Sequence, residues 1–413
     1  MTTRTISSRT SAVLAGALLL AATATAAAQS SAPVPEARLA GPATEASPAA
    51  AAADPQAAPP AENPVLKFFA NTELTGFVDT YYSYNFNTPQ TPCATPGGVA
   101  IFNCLHNFDV AHNSFSLNLA ELALEKKPSK DSRGGFRVDL DYGSATTIVH
   151  ASEPGGTTTY QTIQQAYLSY LAPAGNGTLQ IDFGKFVTPA GNEVIETKDN
   201  WNYSRSLLFA LAIPYYHMGL RAAYSPSDKL TVTGFLFNGW NDVVDNNTGK
   251  SVGLQVSGKP SAAVSISETY IGGPETPNDN SGWRHLSDTV VSYTPTKTTS
   301  VALNYDIGTD RNSRQTWQGI AAYLKYQAND WFAVVPRYEF LKDKDAFMTG
   351  ISQNVQEFTL TAELKHKDGV LMRIEYRGDF ASEPFFRKNV TDLVKSQNVL
   401  TIGWIYAFSS KTP

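Results

Sequence analysis

From about residue 65 onward the chain runs in segments of about ten residues with apolar side chains at every second position, divided by connections that are short and long in turn. In 370–380, Val370, Met372, Ile374, Tyr376 and Phe380 share one face, while Arg373, Glu375, Arg377 and Asp379 share the other. The pattern returns in 135–142, where Phe136, Val138, Leu140 and Tyr142 alternate with Arg137, Asp139 and Asp141, and again in 332–340. Turn-like connections are expected at 127–133, 173–177, 225–228, 258–261, 294–297, 328–330 and 366–369. Between them fall longer polar ones at 87–111, 144–160, 188–213, 241–249, 272–284, 309–314, 342–354 and 381–396. One rim of short turns and one of long loops is the signature of an antiparallel up-and-down transmembrane β-barrel. The segments number about sixteen, enough for a water-filled lumen. Segments 115–126 and 262–271 break the alternation, which implies a bulge or a displaced boundary.

A soluble β-sandwich also alternates, so composition has to help. Charged residues make up 17% of the chain, below the roughly 25% of ordinary soluble domains, as expected when much of the outer surface meets lipid. After the N-terminal leader no apolar run approaches the ~18 residues of a membrane helix. The formal net charge of −5, with no basic stripe, excludes nucleic acid as a partner.

The N-terminus reads as a targeting segment. Arg4 and Arg9 precede an apolar stretch at 12–22, and Ala26, Ala27 and Ala28 form a small-residue cleavage site before Gln29. Residues 1–28 are therefore expected to be a cleaved signal peptide. Residues 29–64, nearly all Ala, Pro, Glu, Ser and Thr, are expected to be a disordered periplasmic linker, because they have little to bury. The barrel is assigned to 65–413. In an exported chain the only two cysteines, Cys93 and Cys104, share one Gly/Pro-rich loop and are expected to form a disulfide.

The last segment, 398–408, carries Thr401, Gly403, Trp404, Tyr406 and Phe408. It resembles the C-terminal signal read by the machinery that inserts outer-membrane barrels, although Ser409 to Pro413 overhang it. It is expected to close the barrel against the first strand near residues 74–86.

Four further motifs occur in order: Gly76-Phe77-Val78-Asp79-Thr80-Tyr81-Tyr82-Ser83-Tyr84-Asn85; Phe183-Gly184-Lys185-Phe186 with Pro189 and Glu193; Asn202-Tyr203-Ser204-Arg205-Ser206; and Pro214-Tyr215-Tyr216-His217-Met218-Gly219. Together they resemble the OmpL-like β-barrel porin family. The resemblance implies a passive diffusion channel for small hydrophilic solutes or ions in the outer-membrane lipid, assembled as a homotrimer, and it implies no particular solute.

Strand parity nominates Asp79, Arg137, Asp139, Asp141, Asp182, Arg221, Asp306, Lys325, Arg337, Glu339, Glu363, Arg373, Glu375, Arg377 and Asp379 as inward, pore-lining residues. The connection 188–213 is the expected constriction. Glu193, Glu196, Lys198, Asp199 and Arg205 would line an eyelet, and 207–213 would pack as a short helix on the wall.

No catalytic residue, cofactor or metal site is expected. Gly249-Lys250-Ser251-Val252-Gly253 fits GxSxG but precedes a strand rather than a helix. The histidines 106, 112, 150, 217, 285 and 366 have no ligand spacing. The acidic run 343–345 lacks the ligand series of a calcium loop. The competing readings are a barrel enzyme of lipase or protease type and, behind it, a secreted β-sandwich binding module.

Overall fold

The computed structural model describes residues 71–175 and 177–411. The expected signal peptide 1–28, the linker 29–64 and the opening of the barrel domain through residue 70 lie outside them. Sixteen antiparallel strands close one barrel. In chain order they are β1 (Glu73–Asn85), β2 (Ser114–Lys126), β3 (Gly134–Tyr142), β4 (Ile163–Ala174), β5 (Gly177–Val187), β6 (Tyr216–Ser227), β7 (Leu230–Phe237) and β8 (Ser251–Ser261). They continue with β9 (Val264–Thr276), β10 (Asp279–Tyr293), β11 (Thr299–Asp310), β12 (Gln315–Asn329), β13 (Phe332–Asp343), β14 (Gln353–Lys365) and β15 (Val370–Ala381). A separate hairpin of β16 (Phe386–Lys388) and β17 (Asp392–Val394) sits in the last long connection, and β18 (Ser396–Ser409) completes the wall.

Closure is made by β18 on β1, with Phe77 opposite Ala407, Tyr81 opposite Gly403 and Asn85 opposite Val399. The overhang takes part: the Ser410 amide donates to the Leu74 carbonyl at 2.8 Å, and Ser409 Oγ donates to Glu73 at 2.9 Å. A closed sheet leaves no unpaired edge for the hydrocarbon to desolvate. Leu400, Ile402, Trp404 and Tyr406 are exposed on the outside of β18, while Val399, Thr401 and Ile405 are buried within. That division is the one lipid outside and polar contents inside would impose.

Both breaks in alternation have a local cause. In β2 the register on β1 jumps from Leu119 opposite Asp79 to Leu117 opposite Thr80, so Asn118 is a bulge residue. Asn118 and Leu119 are both buried and parity flips across them. At the other site the boundary moves: β8 continues to Ser261, and the turn expected at 258–261 lies at Ala262 and Ala263.

The expected long connection 272–284 is also shorter, since β9 and β10 extend to leave Pro277 and Asn278 as the turn, with Asn278 at φ 59°. Gly273 there serves close approach instead of loop punctuation, because a Cβ would stand 1.9 Å from Ser251 Oγ. The aromatic group at the outer end of β1 divides by parity. Tyr82, Tyr84 and Phe86 face outward as an interfacial girdle would, but Tyr81 is buried and tilts against Tyr203 with ring centroids 5.8 Å apart.

The long loops fold back over the mouth. Cys93 and Cys104 form the disulfide, with Cα atoms 5.6 Å apart. The connection after β3 carries a short helix, α1 (Ser144–Val149). Ser251, from the GxSxG match, lies in β8 and donates to Glu275 at 2.8 Å.

Candidate functional site

The connection from β5 to β6 dominates the interior. Its neck is closed by the Thr188 amide on the Tyr215 carbonyl at 2.9 Å. It then crosses the lumen: Pro189 O accepts from Gln255 Nε2 on β8 at 2.8 Å, and the Asn192 amide donates to Asn304 on β11 at 3.1 Å. The apolar run becomes a single wide helical turn, Leu208–Ala212, buried on β12 and β13. Gly319 makes room for it, since a Cβ would lie 2.4 Å from Leu208 Cδ2, and Trp317 Nε1 donates to Ala212 O at 3.1 Å.

Charged side chains of the far wall hold the polar half of the loop. Arg337 reaches Glu193 and Glu357 at 2.9 Å and the Ser204 carbonyl at 2.7 Å. Arg373 pairs with Glu363 at 2.9 Å and donates to the carbonyls of Thr197, Asn200 and Asn202. Glu375 accepts from the amides of Tyr203 and Ser204 at 2.6 and 2.8 Å, and Glu339 from those of Leu207 and Leu208 at 3.0 and 3.3 Å. Asp79 gathers Tyr203 Oη at 2.8 Å, Thr197 Oγ1 at 2.5 Å and Asn118 Nδ2 at 2.6 Å. Buried ions are tolerable only with such complete partnering, and removing one member of such a group costs roughly 3–5 kcal/mol.

The inward candidates therefore divide. Asp79, Arg337, Glu339, Arg373, Glu375 and Arg377 lie beneath the loop; Arg377 donates to the Arg205 carbonyl at 2.7 Å. Asp379 pairs with Arg377 and, at 3.1 Å, with His106 of the first loop. Glu363 lies between Arg373 and Lys325. Asp306 stands opposite Asp288, with Asn304 donating to both.

Water reaches a different set. Arg137, Arg221 and Lys325 keep 28%, 24% and 21% of their side chains exposed, against 0% for Arg337. Arg137 pairs with Asp139 at 2.9 Å and Arg221 with Asp182 at 2.7 Å. Tyr167, opposite Arg137 in the β3–β4 ladder, stacks under Arg221 at 4.8 Å.

Of the five loop candidates, Glu193 is spent on Arg337, and Arg205 turns back onto the carbonyls of Val194, Ile195 and Tyr203. Glu196 is buried toward Glu121 and Asp139, and Asp141 is buried opposite Glu121. Lys198 and Asp199, paired at 2.5 Å, remain 25% and 55% exposed. Apart from Lys325 on β12, the accessible charged candidates thus lie at this loop tip and on the wall of β3 to β6.

Parity missed several participants. Asn118 and Glu121 sit in the bulged strand. Tyr203, Thr197 and Asn202 are loop residues whose partners are remote. Glu357 was legible, since Phe358 and Leu360 alternate with it in β14.

In the outer loops, burial and Arg377 push the His106 imidazole down, but Asp109 at 2.8 Å and Asp379 outweigh them and its pKa is raised. Burial opposes ionisation of Asp109, and His106 and Arg377 override it, so its pKa is lowered. Asp242 is pushed up to about 8 by burial, then by Glu275, Glu153 and Asp245.

No curated protein is a significant sequence match. Among solved structures the chain is similar to Salmonella typhi OmpF in complex with daunomycin (TM-score 0.55, 13% identity, 82% of this chain and 97% of that one). It is also similar to the anion-selective porin from Comamonas acidovorans (TM-score 0.52, 11% identity, 82% and 99%). A third likeness is to the trimer form of Vibrio cholerae OmpT (TM-score 0.51, 12% identity, 82% and 99%). At these identities the likeness is one of fold. The family model described as "Putative beta-barrel porin-2, OmpL-like" matches residues 71–408, and the chain belongs to that family of outer-membrane porins.

Proposed function

We propose that this porin is a passive diffusion channel for small hydrophilic solutes and ions, constricted by the loop at 188–215 and working without catalysis. The carrying observation is the set of partly exposed charges Arg137, Arg221, Lys198 and Asp199, carried on the wall of β3 to β6 and at the tip of the anchored loop. Paired charges of both signs there favour polar over apolar solutes, because they replace hydration that an apolar solute cannot exchange. Asp79, Asp306, Glu339, Glu363, Arg337, Arg373, Glu375, Arg377 and Asp379 act in this reading as the frame of the constriction. Planar-bilayer recording on the purified barrel tests it: stepwise conductance is expected, and a folded barrel that gives no steps would sink it. Hydrolysis of ester or peptide substrates by a folded, non-conducting barrel would favour the enzyme reading instead.

Export by cleavage after Ala28, a linker over 29–64 and assembly as a trimer belong to the same proposal. The trimer is supported by the outward face of β9 and β10. There Glu268 lies between the exposed Ile266 and Tyr270 and accepts from Ser287 at 2.6 Å and Thr289 at 2.5 Å. A carboxylate facing hydrocarbon is costly, and a second copy would cover it. Mass measurement of the detergent-solubilised protein, with Glu268→Leu as comparison, tests that assignment.

A further inference from the structure

We propose that the seam between the constriction loop and the β2–β3 wall is a divalent-cation site of the calcium class, formed by Glu121, Asp139, Asp141 and Glu196. Three separate elements meet there: Glu121 from β2, Asp139 and Asp141 from β3, and Glu196 from the loop. Carboxylate oxygens of Glu121, Asp139 and Glu196 all lie within 4.8 Å of one another.

The independent observation is Asp141. It is 1% exposed, stands directly opposite Glu121 in the ladder on the face it shares with Asp139, and neither of its oxygens has a hydrogen-bond donor. Glu121 Oε2 is donorless too. Asp288 and Asp306 each leave one oxygen donorless as well, but Asn304 serves the other oxygen of both, and Asp79 has three donors. In the seam, Arg137 and Gln165 serve Asp139 alone. Buried carboxylates without donors either share protons or hold a cation among them, and four meeting in one seam favour the cation.

Hard oxygen donors select calcium or magnesium, and geometry separates the two. Ligands on opposite sides of a calcium ion stand about 4.6–5.2 Å apart, against about 4.0–4.2 Å for magnesium, whose octahedron tolerates little irregularity. The irregular, all-carboxylate seam suits the larger ion. Bound there, the ion would tie the loop tip at Glu196 to the wall beside Lys198 and offset part of the negative charge of the seam. Sequence spacing gave no sign of the site, since its donors span 121 to 196 in no regular series.

The test is calcium titration, by calorimetry, of EDTA-treated full-length protein in detergent, with magnesium as the second probe. One calcium per chain is expected, bound more tightly than magnesium. Affinity should fall by about tenfold or more in Glu196→Gln and in Asp141→Asn, and stay unchanged in the exposed-turn variant Asp131→Asn. Absence of saturable calcium uptake by the wild type overturns the site, and so does uptake unaltered in Glu196→Gln. That loop variant leaves the strands intact, so it decides even if Asp141→Asn does not assemble. Magnesium binding as tight as calcium overturns the calcium assignment. Because the readout is binding, a non-conducting barrel would leave the result standing.

Discussion

The ring of Tyr203 lies against Gly403, so close that a Cβ on residue 403 would stand 2.2 Å from its Cδ2 and Cε2 atoms. The final strand thus carries a glycine where the constriction loop touches down, and the Tyr203 hydroxyl goes on to Asp79 of the first strand. The closing strand pair and the loop are packed as one unit.

Gly403→Ala tests that contact. The methyl must push the ring away and with it the hydroxyl that serves Asp79. Overpacking of this kind costs about 1–3 kcal/mol. The expected outcome is a barrel that still inserts, with a lower urea midpoint and a larger, noisier single-channel conductance. Conductance and midpoint both equal to wild type would show that the loop is held without this contact.

Arg337→Met removes the cation that Glu193, Glu339 and Glu357 share. The three carboxylates then lose the cation that bridges them, a loss of about 3–5 kcal/mol. Limited proteolysis of the folded barrel should now cut within 188–215, where wild type resists. Undiminished protection would contradict the anchoring role.

What the sequence made legible follows from the range of each interaction. Strand period arises from nearest-neighbour alternation and was readable in a short window, strand number followed from counting the segments between connections, and closure by 398–408 was what its resemblance to a C-terminal insertion signal implied. The bulge at Asn118 is the local exception. It shifts the face of β2 by one residue, which is why Glu121 escaped a parity argument that found Asp141 across from it. Loop anchoring was unreadable for the opposite reason. Glu193 finds Arg337 at a separation of 144 residues, and Tyr203 finds Asp79 at 124. Parity identified Arg337 and Arg373 as inward but could not tell a wet charge from one covered by a loop, because that depends on where 188–215 lies.

The first loop should respond to pH through His106. Its folded pKa is raised above the ordinary value of about 6.5, so its stabilisation is complete below that value and is lost as pH rises through the folded pKa. Asp109, with its lowered pKa, contributes above its unfolded value of about 3.8, and that share is lost as pH falls through the folded one. Amide exchange over 103–110, corrected for intrinsic rates, should show greatest protection in mildly acidic solution and decline toward alkaline pH. In His106→Gln the alkaline decline should vanish; its persistence would place the pH response elsewhere.

Ion preference should depend on the wet basic residues rather than on the more numerous buried ones. Arg221 is a quarter exposed, braced by Asp182 and laid over Tyr167 and Phe186. Lys198, also a quarter exposed, sits at the loop tip beside Asp199. A charge at a narrow, water-filled strip raises the local concentration of its counter-ion, whereas one neutralised under the loop adds little field to the path. Arg221→Gln combined with Lys198→Gln should therefore move the reversal potential in a salt gradient toward cations, with the chloride-to-potassium permeability ratio falling by about twofold or more. Lys325→Gln, on β12 and many strands away from β3 to β6 around the barrel, should shift it less. An equal shift from Lys325→Gln would mean that the conducting path runs along β12 and β14 instead of β3 to β6.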